Sequence, residues 1–327
     1  MDLSVVFLGT GGSVPSARRA TACVLIRSGG TRMLVDAGEG AQRQMINSTG
    51  LVHVDDIYIT HFHADHYLGL PGLLKTYDLL ERQAPLRIIG PPGLIGLFEA
   101  LRRIFGKLRY EVELVELEPG EALAHDGFEM RAFAVEHGMK ALGYAYVEPE
   151  RPGRFDVDAA RGLGITDDRD FGRLQRGETI SVIGSEVRPD EVMGEPRQGR
   201  KVVITGDTAP CEMTRVAAHA AQLLVHDGTF AVEESARAAD TGHSTARDAA
   251  QLAAEAEVGM LAIVHVSSRY NVSRVLDEAR EAFENTVAPR DFDLVEIPFP
   301  ERGDPHLVPE GAKQRAEPQA EPAPTVD

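Results

Sequence analysis

Apolar residues fall into short blocks separated by turn residues along most of this chain. LSVVFL (3–8) reads as a buried strand closed by Gly9, Gly11 and Gly12. ACVLIRS (22–28) and RMLVDAG (32–38) are two more strands, joined by the hairpin signal Gly29-Gly30. GEGAQRQMINST (38–49) has helical spacing, DDIYIT (55–60) is a short strand, and GLPGLLKTYDLLERQ (69–83) is a helix. LRIIG (86–90) is a strand and GLIGLFEALRRIFG (93–106) an amphipathic helix. Strands run on through FEMRAFAVEH (128–137) and ALGYAYVE (141–148). They resume at KVVITGD (201–207), LLVHDGTF (223–230) and MLAIVHVSSRY (260–270). Helices fall at 245–257 and about 273–284, and DLVEIPF (293–299) closes as a strand. Hairpins interrupt the strand–helix alternation, so the sheets are expected to be mixed.

Two segments break the pattern. Residues 149–200 are rich in Pro, Gly, Arg and Asp with weak periodicity, and read as an inserted arm. From 303 to 327 Pro, Glu, Ala and Gln dominate, a composition expected to stay disordered. The expected organisation is one domain over 1–302, carrying the arm, followed by that tail.

Composition narrows the function. Lys and Arg number 34 against 51 Asp and Glu, a net charge of −17 over 327 residues. Such a chain repels polyanions at long range, so a nucleic-acid site needs a local basic patch or a metal centre. Cys23 and Cys211 form neither a disulfide framework nor a zinc motif, and are expected as buried free thiols. The start lacks a signal peptide, and no run is long enough to span a membrane; a cytoplasmic protein is expected.

The chemistry concentrates in THFHADH (60–66), directly after a strand. It holds His61, His63, Asp65 and His66, although the whole chain has only 11 histidines, so chance clustering is a poor account. Imidazole nitrogen and carboxylate oxygen are the ligands of catalytic zinc. Further ligands must come from other strand ends, where His137, Asp207 and His265 lie. His53, His125, His219 and His306 fit no such pattern, and His226 reads as a supporting core histidine. FLGTGGSVP lacks the Gly-Lys-Ser/Thr ending of a phosphate-binding loop and reads as a tight turn. The basic run Arg102, Arg103, Lys107 and Arg109 reads first as a solvated helix face. Arg151, Arg154 and Arg161 of the arm are the other candidate basic patch, diluted by neighbouring aspartates.

THFHADH, a lone His in EHG (136–138), TGDT (205–208) and the late His265 together resemble the metallo-β-lactamase superfamily. HDGTF (226–230), GHST (242–245) and HVSSRY (265–270) resemble the ribonuclease Z branch, endonucleases that trim the 3′ end of precursor tRNA. The resemblance implies an α/β fold, an αββα sandwich of two mixed sheets flanked by helices. It implies two Zn2+ per subunit, with Mn2+ or another divalent ion able to serve. His61, His63 and His137 would hold one, Asp65, His66 and His265 the other, and Asp207 would bridge them. Asp36 would hydrogen-bond the ligand loop. Asp65 would also take a proton from the attacking water, while His243, assisted by Asp227, would protonate the leaving 3′ oxygen. The implied substrate is precursor tRNA rather than DNA or a membrane, and the implied state a homodimer. Asp227 stands where the family usually has Glu, Ala17 and Ala20 replace a Lys and an Asn, and GITDDRDFG (164–172) lacks the arm's Gly-Pro motif. The alternative is a phosphodiesterase or ester hydrolase of the same fold acting on a small molecule or cyclic nucleotide. An RNA-binding module with a structural metal fits worse, because a structural zinc needs only four ligands.

Overall fold

The computed structural model describes residues 2–182 and 185–310. The chain separates into two compact units: the described residues up to Val147 together with those from Lys201, and the intervening Glu148–Arg200.

In the larger unit, β1 (Leu3–Gly9), β2 (Cys23–Ser28) and β3 (Thr31–Val35) pair antiparallel. Helix α1 (Ala41–Ser48) leads to β4 (Asp56–Tyr58), which pairs parallel with β3. Then come a single helical turn, α2 (Ala64–Tyr67), and the helix α3 (Leu70–Leu79). β5 (Leu86–Gly90), α4 (Leu94–Phe105) and β6 (Val112–Glu116) continue the sheet in parallel. A second sheet begins with the antiparallel strands β7 (Ala122–His125), β8 (Phe128–Ala134) and β9 (Leu142–Val147).

The smaller unit holds α5 (Val157–Gly162), α6 (Asp168–Gln175) and the hairpin β10 (Ile180–Val182) with β11 (Ser185–Val187). It has a core of its own around Ala160, Ile165, Leu174, Ile180 and Val192. Its acids have structural work: Asp156 and Asp167 cap α5 and α6, and Asp170 and Glu178 pair with Arg173.

The larger unit resumes with β12 (Lys201–Ile204), α7 (Glu212–Ala218), β13 (Leu223–Asp227), α8 (Ser235–Thr241) and α9 (Ala246–Glu255). β14 (Met260–Val264), α10 (Val272–Arg280) and β15 (Thr286–Val287) follow, and β16 (Leu294–Glu296) and β17 (His306–Val308) return to the first sheet. The first sheet has the order β17-β16-β1-β2-β3-β4-β5-β6, the second β15-β14-β13-β12-β9-β8-β7. Both are mixed.

The period-2 alternation of a strand explains the layers. Along β1, Val5 and Phe7 point into the core shared with Tyr144, Val225 and Met260 of the second sheet. Val6 and Leu8 point the other way, into Leu70, Leu74 and Phe98 of the covering helices. On the second sheet, Val203, Leu224 and Leu261 meet Ala246, Ala250 and Ala253 of α9, whose small side chains permit close approach. Strands covered on both faces read as unbroken apolar runs. The result is the expected two-sheet sandwich flanked by helices.

Four features differ from the sequence reading. The segment carrying Asp65 and His66 is a helical turn rather than an open loop. α7 and α8 were not anticipated, since each is short and polar on its exposed side. The arm, expected to be non-core, closes on its own apolar cluster. Ordered structure also extends past 302: β17 pairs with β16 through Val295↔Leu307, so the expected tail begins too early. Its remaining residues, 311–327, lie outside the described part.

The sheets are tied together at the metal-ligand segment. The Tyr144 hydroxyl donates to the Ile59 carbonyl at 2.8 Å, and Leu142 N–H donates to the Thr60 carbonyl at 2.9 Å. Tyr144→Phe strands a buried acceptor and is expected to cost about 1–3 kcal/mol in chemical denaturation. A loss of only a few tenths would show that another donor replaces it.

Candidate metal centre

The site assembles where strands end. β3 and β4 run in parallel, so Asp36 and Thr60 leave the same edge, with Asp36 N–H bonded to Tyr58 O at 2.8 Å. β12, β13 and β14 are also parallel, which brings Asp207, Asp227 and His265 to one edge of the second sheet. His137 follows β8. The carboxyl ends of parallel strands are where such folds place ligands.

The candidate ligands from the sequence all meet here. His61, His63, His137 and Asp207 offer donor atoms within 4.8 Å of one another, and Asp65, His66 and His265 do the same. Asp207 Oδ2 lies between the groups, 3.7 Å from His61 Nε2, 3.4 Å from His66 Nε2 and 3.3 Å from His265 Nε2. Among the described residues no other histidine except His243 enters such a group. His226 is fully buried and bonds through Nδ1 to the Asp227 carbonyl at 2.8 Å, so it supports the strand end.

An oxygen fixes the imidazole at four of the five histidine ligands. Nδ1–H donates from His61 to Thr60 Oγ1 at 3.0 Å, and from His66 to Asp36 Oδ2 at 2.7 Å. It donates from His137 to the Gly242 carbonyl at 2.8 Å, and from His265 to Thr229 Oγ1 at 2.7 Å. Each Nε2 is thereby left as a lone pair facing the centre, the arrangement metal sites use. His63 turns Nδ1 to within 3.1 Å of both His61 Nε2 and His137 Nε2. Two nitrogens bound to one tetrahedral ion at 2.0–2.1 Å lie about 3.3 Å apart. Nitrogens of neutral imidazoles gathered this closely, lone pair toward lone pair, fit a cation and not a hydrogen-bond network. His66 Nε2 and Asp207 Oδ1 are buried with no hydrogen-bond partner, which fits the same conclusion.

Charge follows from burial and neighbours. Burial, reinforced by His66, lowers the His61 imidazole to about 2, so it is neutral. Burial also disfavours charge on Asp207, yet His265 and His66 outweigh it and keep the carboxyl ionised well below its usual range. In Asp65 the hydrogen bond with His265 likewise overcomes burial. The site thus combines neutral donors with fixed carboxylates.

Beside it stands a second pair. Asp227 is fully buried and accepts from Thr208 N, Thr229 N, Thr229 Oγ1 and His243 Nδ1, the last at 2.7 Å. Its lone pairs are therefore spent, so it is not free to bind metal although it lies close to Asp207 and His265. Aspartate in place of the family's glutamate still reaches His243. Burial disfavours a charged His243, but Asp227 outweighs it and the pKa is raised.

Three supports were not singled out in the sequence. Thr60 fixes both His61 and Asp36, and it immediately precedes the first ligand. Thr229 donates to Asp227 Oδ1 at 2.6 Å while accepting from His265, joining the metal cluster to the His243 pair. Gly242 presents the carbonyl that orients His137; its φ is +69°, and a Cβ there would press on His137 and Gly138. The available signals were the motif positions themselves, Thr229 in HDGTF and Gly242 in GHST.

A family model for the metallo-β-lactamase superfamily matches residues 17–265. With the fold and this cluster, it makes the chain a member of that superfamily. The ribonuclease Z of Methanosarcina acetivorans is 44% identical over 303 residues, covering 91% of this chain and 99% of its own length. That of Myxococcus xanthus is 42% identical over 290 residues, covering 87% and 94%. Among solved structures, the short form of human tRNase Z superimposes with a TM-score of 0.65 at 25% identity, over 90% of this chain and 99% of that one. A metallo-β-lactamase fold protein from Bacillus subtilis gives a TM-score of 0.67 at 19% identity, over 91% and 100%, which speaks for the fold. Within the superfamily the chain belongs to the ribonuclease Z family.

Asp36→Asn keeps the side-chain size but weakens the anchor of Thr60 and His66. Metal affinity by competition with a chromophoric chelator is expected to fall about 10–100-fold with little change in melting temperature. Thr229→Val removes the link between His265 and Asp227. It should weaken metal binding and lower kcat together, with Thr229→Ser restoring both. Loss of stability alone would make Thr229 a packing residue.

Proposed function

We propose that this chain is a metal-dependent endoribonuclease that removes the 3′ trailer from precursor tRNA and leaves a 3′-hydroxyl. The observation that carries the chemistry is the convergence of seven side chains from separate strand ends on two sides of Asp207. The relatives that match along nearly the whole chain support the substrate.

His61, His63 and His137 would hold one ion, Asp65, His66 and His265 a second, with Asp207 shared. Zinc suits this nitrogen-rich set best, and manganese can occupy it. Bound there, the ions supply a water acidic enough to attack at neutral pH and offset charge on the phosphoryl oxygens. Asp65 sits with one oxygen 2.9 Å from the Ser13 N–H and 3.3 Å from His265 Nε2, placing it to accept the proton of the attacking water. His243 is held by Asp227 through Nδ1, which leaves Nε2 to donate a proton to the departing 3′ oxygen. Side-chain exposure of 12% at His243 and 13% at Asp65 leaves both within reach of a substrate, whereas His61 at 0% can serve only from behind. By resemblance to the family, the working unit is a cytoplasmic homodimer; sedimentation giving the monomer mass would refute that part.

The decisive assay compares a precursor tRNA carrying a 3′ trailer with bis(p-nitrophenyl) phosphate. Trailer removal by the wild type, abolished in Asp65→Ala, is the expected result. Turnover of only the small diester would keep the metal chemistry and discard tRNA. His243→Ala is expected to lose about 10²–10⁴-fold in kcat while retaining its metals by elemental analysis. Metal loss in that variant would make the role structural.

A further inference from the structure

The largest cavity lies beside the metal centre, not in it. It is an open groove of about 1110 Å³ between the loop after β1, helix α1, the start of α10 and the segment before β16. Four arginines line it, Arg18, Arg19, Arg43 and Arg290, with three carboxylates, Glu39, Asp291 and Glu310. Arg19 and Asp291 build the frame. Arg19 donates to Thr10 Oγ1 and to the Pro289 carbonyl, and Asp291 accepts from Thr10, Ala20 N and Gln44. Arg18, Arg43 and Arg290 are different. All three are exposed, and among the described residues none of their guanidinium groups enters an ion pair or a side-chain hydrogen bond. In a chain of net charge −17, three unpaired arginines facing one groove call for an anionic occupant.

One short loop joins the groove to the site. Gly12 packs so close to His265 that a Cβ there would lie 2.5 Å from its carbonyl, and Ser13 N–H bonds Asp65 at 2.9 Å. Pro15 and Ser16, next along the loop, already line the groove. A polyanion in the groove therefore continues directly to the reacting phosphate. Apolar surface from Ala17, Val272, Leu276 and Phe292 lies among the arginines. A duplex presents a convex backbone and hides its base faces. A single strand fits a concave groove and offers bases to such surface.

We infer that this groove holds the single-stranded trailer of the substrate, its backbone phosphates on Arg18, Arg43 and Arg290. The inference rests on the proposed trailer-removing activity and names the surface that holds the trailer. Arginine suits the task, since its guanidinium pairs with phosphate through two N–H bonds.

The test uses the full chain, metal-loaded, on precursor tRNAs with a long trailer and with a single-nucleotide trailer. Arg43→Glu and Arg290→Glu are each expected to raise KM on the long trailer about tenfold or more, with kcat held. Each neutralised arginine should lower the slope of log KM against log salt by about 0.7. Arg43→Lys should recover most of the affinity, and the single-nucleotide trailer should show little difference between variants and wild type. Melting temperature and metal content certify folding. If the wild type cuts the precursor and Arg43→Glu and Arg290→Glu match it at both trailer lengths, the groove assignment is wrong. An equal loss on both trailers overturns the single-strand assignment and gives the groove to the acceptor duplex. Failure of the wild type to cut any precursor sinks the activity itself, a separate outcome.

Discussion

Asp36 anchors the centre although it binds no metal. Its carboxylate accepts from Thr60 N, Thr60 Oγ1 and His66 Nδ1, all within 3.1 Å. Through Thr60 it also fixes the His61 ring, so one buried anion sets two imidazoles on opposite sides of Asp207. The carboxylate can stay buried because each donor aims at it from a strand end that packing has already fixed. Asp36 sits at φ +60°, a left-handed conformation that costs an aspartate little and turns the chain at this edge.

The same logic repeats on the second sheet. Asp227 gathers four donors and holds His243, and Thr229 joins it to His265. Each sheet thus contributes one buried aspartate and one threonine that orient a pair of histidines. The metal cluster and the proton donor are not independent: the Thr229 hydroxyl bonds a ligand and the acid's carboxylate at once. Position at the C-terminal ends of parallel strands makes this possible, because β13 and β14 hold Asp227 opposite Val264 in register.

Acidity and a polyanionic substrate are compatible when charge is sorted in space. The basic run near α4 is spoken for: Arg102 pairs with Glu99, and Arg109 bonds Asp78. The arm's aspartates cap helices and pair with arginine within its own unit. The unpaired arginines are elsewhere, around the groove that leads from Ser13. At an ionic strength near 0.15 M the screening length is about 8 Å, so local guanidinium groups govern a bound strand more than distant net charge does.

Much of this was legible from residue order alone. Unbroken apolar runs such as LSVVFL marked strands covered on both faces, and THFHADH marked the ligand segment, because strand period and ligand type are local properties. Residue type and motif spacing also identified Asp207, His137 and His265 as partners. Tertiary structure decided the rest. The helical turn at Ala64–Tyr67 forms in a segment too short to show a period. The strand at His306–Val308 exists because β16 offers it an edge, which composition cannot reveal. The arm's core gathers apolar residues spaced too irregularly to be read as elements. Arg18, Arg43 and Arg290 come from three distant stretches, and only the fold sets them around one groove. Which oxygen fixes which imidazole is likewise a matter of distances between remote segments: a sequence names its ligands, but packing aims them.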